Sequence, residues 1–127
     1  MKAQLKKELE EKQERIVINA REKILPVLKS NELKIQYAKL VCNTLAIAIS
    51  QGQFDLLKKH KVSDLNLLDL IKEGYPQYDT VVELIKNLND FSMEEAINCL
   101  QWMTEKINKL VEEENEKRSI IELGLDF

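Results

Sequence analysis

Few residues in this 127-residue chain could do chemistry, and their spacing limits what chemistry that could be. His60 is the single histidine, so any Ser-His-Asp or Cys-His arrangement would have to use it. It stands in Lys58-Lys59-His60-Lys61, where neighbouring cations disfavour both the imidazolium and a bound metal ion. The two cysteines, Cys42 and Cys99, lie far from His60 and from each other and match no C-x-x-C or H-x-x-x-H ligand pattern. Both sit in apolar helical patterns, which reads as two reduced, buried thiols of a cytoplasmic protein. Glu94 and Glu95 open a helix, where carboxylates serve the helix dipole, and the Glu112–Glu116 run reads as a solvated face. Neither carries the apolar walls that raise a carboxyl pKa for general acid catalysis. The three glycines, at 52, 74 and 124, cannot build a phosphate-cradling loop. The expectation is a non-catalytic chain with no metal and no cofactor.

Composition bounds the rest. A hydrophobic fraction of 44% and a charged fraction of 32% suit one soluble domain over 1–127, and two prolines with three glycines are too few for an all-β fold. No apolar run approaches the roughly 18–20 residues that span a bilayer, so no membrane association is expected. The net charge of −3 disfavours nucleic acid as a partner. The charge is uneven: residues 1–29 carry +3, residues 30–91 carry −1 and residues 92–127 carry −5. The ends therefore attract one another, within a chain or between copies.

Periodicity predicts an all-α fold, a compact bundle of five or six helices with long N- and C-terminal helices. The first helix runs from Lys2 to Leu25 with Leu5, Leu9, Ile16, Ala20 and Ile24 at helical spacing, until Pro26 ends or kinks it. Its first half carries only a narrow apolar stripe. Ser30 or Asn31 caps a second helix, Glu32 to Gln51, closed by Gly52. That helix is apolar on two faces, Tyr37, Leu40, Val41, Thr44, Leu45 and Ala48 on one and Ile35, Cys42, Ala46 and Ile49 on the other, which predicts a central, buried element. Shorter helices follow at 53–59, at 64–73 with Leu65, Leu67, Leu68, Leu70 and Ile71 inward, and at 80–88 behind a Thr80/Glu83 capping box. Ser92 and Glu95 form the clearest start signal in the chain, opening a helix to Arg118. On it Met93, Ala96, Leu100, Met103, Ile107 and Leu110 repeat at coiled-coil spacing. Trp102 stands beside that seam, as a core residue or a contact for a partner.

The C-terminal segment 119–127 is the remaining candidate. Four aliphatic residues and Phe127 follow a highly charged stretch and must bury themselves in this protein or in another. Leu123, Leu125 and Phe127 alternate, so an extended strand presents them on one side, with Asp126 turned to a basic rim. The string Glu122-Leu123-Gly124-Leu125-Asp126-Phe127 resembles the peptide by which bacterial and phage replication proteins dock on the sliding clamp, Gln-Leu-x-Leu-x-Leu/Phe. Glu122 departs from it where the motif has Gln. Asp126-Phe127 also resembles the acidic tip of bacterial single-stranded-DNA-binding proteins. The resemblance implies a docking tail whose partner is a replication or transcription component.

The functional expectation is a protein–protein interaction module, an adaptor or regulator of phage or mobile-element type. It acts through an apolar helix face or through Leu123, Leu125, Asp126, Phe127 and Trp102. Two alternatives stand beside it. One is a structural homo-oligomer built on the 93–110 seam. The other is a DNA-binding regulator using helices in 53–90, with Lys58, Lys59 and Lys61 on the phosphates.

Overall fold

A computed structural model describes residues 2–55, 61–72, 74–111 and 119–120. The fold is all-α. Six α-helical segments follow one another among the described residues: α1 (Lys2–Lys23), α2 (Leu25–Ser30), α3 (Ile35–Asp55), α4 (Leu67–Leu70), α5 (Tyr78–Leu88) and α6 (Met93–Val111). A 3-10 turn, Val62–Leu65, precedes α4.

The core forms where α3 meets α6, the most extensive pairing of elements. The heptad residues Met93, Ala96, Leu100, Met103 and Ile107 are all buried, and so are Ile35, Ala38, Cys42, Leu45, Ala46 and Ile49 of α3. Gln36, Lys39, Leu40 and Asn43 border the same cleft as Thr104 and Asn108, so the two helices run antiparallel. The residues that repeat like a coiled coil are thus covered by this chain itself. Ser92 opens α6 as its spacing predicts: its hydroxyl accepts the Glu95 N–H at 3.1 Å and donates to the Glu95 carboxylate at 3.0 Å.

α1 packs on α6 in parallel. Lys12 Nζ pairs with Glu94 at 3.0 Å, and the Cys99 thiol lies 3.7 Å from the Ile16 carbonyl, so residue numbers rise together along both helices. One pair of opposite charges from the two ends of the chain, Lys12 and Glu94, thus meets within one molecule. Because α6 begins at Met93, residues 2–11 of α1 project past its end by about 15 Å, at 1.5 Å per residue. Every residue from Lys2 to Arg15 is exposed.

Several boundaries differ from their sequence expectation, each for a local reason. Pro26 does break the first helix, but it then sits in the first turn of α2, where its missing N–H costs nothing. Ser30 and Asn31 do not cap α3. Their side chains donate backward to the Val27 carbonyl, at 3.1 and 2.8 Å, and close α2. Glu32 then takes a left-handed conformation (φ 51°), with Glu32 N–H on Lys29 O and Leu33 N–H on Leu28 O, the Schellman pattern. Gly52 does not close α3, which continues to Asp55. A Cβ at Gly52 would lie 2.7 Å from Leu65 Cδ2, so this glycine serves the close approach of the 3-10 turn. The helix expected at 53–59 extends beyond the described residues.

The helix expected at 64–73 is broken at Asn66 (φ 51°), leaving the 3-10 turn and the four-residue α4. Leu65 and Leu67 stay buried, while Leu68 and Leu70 turn outward. The Thr80/Glu83 box is absent because α5 starts two residues earlier, and Thr80 is buried inside it. The inward face predicted for α5, Val81, Leu84, Ile85 and Leu88, is buried as expected. Residues 112–118, the predicted end of the last helix, lie outside the described residues.

Burial sets the energetic contrast. Leu100 has no exposed surface, whereas Leu9 is 59% exposed. Leu100→Ala is expected to cost about 2–5 kcal/mol by cavity formation, and Leu9→Ala to change stability by no more than about 0.5 kcal/mol. Urea unfolding of the two variants checks this, and equal losses would contradict the core assignment.

Candidate functional site

The thiols come first, as the most reactive groups of the body. Cys42 and Cys99 are both free and buried. Burial pushes the Cys42 thiol up to about 12. Burial, reinforced by the nearby Glu95 carboxylate, pushes Cys99 up to about 11. At neutral pH both are protonated and act as small apolar groups, Cys42 on the buried face of α3 and Cys99 on the side of α6 that meets α1. Among the described residues no three His, Cys, Asp or Glu side chains converge to hold a metal ion. His60, Lys58 and Lys59 lie outside the described residues.

An apolar groove of about 450 Å³ lies beside α3. One wall is the face of α3 that bears Val41, Thr44, Leu45, Ala48 and Gly52. Leu65, Leu67, Leu70, Ile71 and Tyr75 form the facing wall, with Val81 of α5 also lining the groove. A smaller hollow bordered by Leu40, Val41, Thr44, Tyr75 and Pro76 continues it toward the start of α3. Around the groove the surface stays apolar: Leu40 is 51% exposed and Leu70 72%. Tyr75 is also exposed, as are Tyr37 and Ile47 elsewhere on α3.

The groove follows from the sequence in two steps. α3 is apolar around most of its circumference, but α6 and α5 cover only part of it. The segment that should cover the rest breaks at Asn66 into pieces too short to lie along α3. The expectation of a central, buried α3 holds for its Ile35, Cys42, Ala46 and Ile49 face, while its Tyr37–Leu40–Ile47 side is open. Sequence reasoning found the two apolar faces and missed that one would stay uncovered. The signal was present in the mismatch between a 21-residue helix and the short elements beside it.

The predicted site residues are placed as follows. Trp102 is half-buried on α6 and packs against the core. Leu123, Leu125, Asp126 and Phe127 lie outside the described residues. The chain just before them is fixed: Ser119 bridges Lys34, the Ile120 N–H donates to the Leu33 carbonyl at 2.9 Å, and Ile120 is fully buried. Ser119 and Ile120 are thus held beside the start of α3.

No helix of the described residues is long and apolar enough to cross a membrane. Comparison with known protein families, curated protein sequences and solved structures finds no match to this chain.

The raised thiol pKa values have a direct consequence. At about pH 8 the thiolate fraction in the folded protein is about one part in a thousand or less. A disulfide reagent should therefore leave both cysteines unmodified in the native chain and titrate both in denaturant. Rapid labelling of either one under native conditions would contradict their burial.

Proposed function

We propose that the protein is a non-catalytic protein–protein interaction module, an adaptor or regulator, whose docking surface is the apolar groove between α3 and residues 65–76. The observation that carries this reading is the groove itself, with Leu40, Leu70 and Tyr75 exposed around it. Exposed apolar surface of this kind is costly to keep in water and marks contact sites. Its volume falls in the range that accepts a few aliphatic or aromatic side chains. The tail residues Leu123, Leu125, Asp126 and Phe127 are a second docking element in this reading, and a sliding clamp or another replication component is the partner their motif suggests. The outward face of α5 bears Asp79, Glu83, Lys86 and Asn87. Two acids and one base there weigh against a DNA-reading helix.

Capture from cells of the native host tests the groove. Thr44→Glu with Leu70→Glu places two carboxylates in the groove at positions that are not core, so helix content and melting should be retained. The wild-type chain should retain a partner that this variant loses. Retention of the same proteins by both would remove the groove from the function.

A structural homo-oligomer is the second reading, and one observation favours it. Leu5 and Leu9 are both 59% exposed on the projecting part of α1, on the face that continues into Ile16 and Ala20. Helices present such a stripe to a second helix. In light scattering across a wide concentration range, a dimer that dissociates on Leu5→Glu, Leu9→Glu substitution is the expected result for this reading. A monomer at every concentration would end it.

A further inference from the structure

We propose that the occupant of the α3 groove is a second copy of this chain, which inserts the projecting residues 2–11 of its α1 there and receives the same element in return. The proposal rests on the groove being a docking surface, as argued above, and names what docks.

Three observations carry it. First, two apolar features of complementary shape lie at one end of the molecule. Leu5 and Leu9 form a ridge on the projecting helix. The groove is concave and aliphatic, with Val41, Leu45, Ala48, Leu67 and Ile71 in its lining. α3 runs antiparallel to α6, so the Gly52 end of the groove lies toward the start of α6, the end past which α1 projects. The Lys61–Ser92 bridge marks the same point: it holds the 3-10 turn, whose Leu65 meets Gly52, beside the start of α6. The overhang is about 15 Å long, and Val41 to Gly52 span about 17 Å of α3, at 1.5 Å per residue. α1 is one continuous helix from Lys2 to Lys23, so its overhang points away from its own body and does not fold back into its own groove.

Second, the charges match. Residues 2–7 carry Lys2, Lys6 and Lys7 and no acid. The stretch 64–83, which faces α3 across the groove, carries Asp64, Asp69, Glu73, Asp79 and Glu83 against Lys72 alone, a net charge of −4. A basic tip thus meets an acidic border.

Third, the ridge is unsuited to its own copy. Lys2, Leu5, Leu9 and Lys12 follow coiled-coil spacing. A parallel pair of α1 helices in register sets Lys2 on Lys2 and Lys12 on Lys12. An antiparallel pair that matches the leucines sets Lys2 on Lys12. Either register puts like charges on both sides of only two apolar layers. The groove offers the leucines an aliphatic lining instead. Reciprocal insertion gives two identical contacts about a two-fold axis, so assembly closes at a dimer.

Complementation between full-length variants tests this. Leu5→Glu, Leu9→Glu spoils the ridge and leaves the groove, whereas Thr44→Glu, Leu70→Glu spoils the groove and leaves the ridge. Wild type should be a dimer in light scattering, weaker as ionic strength rises. Each variant should raise the dissociation constant at least about tenfold. Mixed together, the two variants keep one intact contact. Adding the unlabelled groove variant should therefore shift the methyl NMR signals of Val41, Leu45, Leu67 and Ile71 in the labelled ridge variant. Adding unlabelled ridge variant should leave those signals in place. A wild-type monomer at every concentration, a groove variant that dimerises as tightly as wild type, or a mixture without shifts would each overturn the proposal. The ridge variant changes only the exposed overhang, so its result is independent of how the groove variant folds. The docking-surface reading fails separately: a host partner that the groove variant loses upholds that reading even where no dimer forms.

Discussion

Everything else in this protein depends on the pairing of α3 with α6. Small residues recur along both helices, Ala38, Cys42 and Ala46 on one and Ala96 on the other, and all are buried. Small side chains allow the axes to approach toward the short end of the usual 8–10 Å range. Large residues between them, Leu45, Ile49, Leu100, Met103 and Ile107, then fill the space above and below. Each large side chain contributes about 1.5–3 kcal/mol when fully removed from water. Cys42 is one of these small groups, whereas the Cys99 thiol faces α1. It directs α1 as well, because the outer side of α6 offers α1 its packing surface near Lys12–Glu94 and Ile16–Cys99.

One consequence is an imbalance on the far side of α3. The helix is apolar around more of its circumference than its neighbours cover. The chain from 61 to 76 is pinned at its start, where Val62 and Ser63 donate to the carbonyls of Phe91 and Asn89. It bends at Asn66 and again at Gln77, both in left-handed conformations that cost a non-glycine residue energy. A segment held at its start and bent at these two residues lies beside α3 without sealing it. The groove is the geometric remainder of that constraint, and its walls are the side chains that a continuous helix would have buried.

These relations decide what could be read from the sequence. The capping of α6 was legible because Ser92 and Glu95 act within one turn, and the α5 face was legible because its period is regular. The seam of α6 was legible as a stripe but not as to its partner, since heptad spacing is the same within a chain and between chains. Ser30 and Asn31 misled because a side chain that can open a helix can also close the one before it. Asn66 gave no warning, since its left-handed conformation breaks the expected helix without any interruption of the apolar pattern around it. The groove was illegible because an uncovered face is a property of the neighbours, not of the helix that bears it.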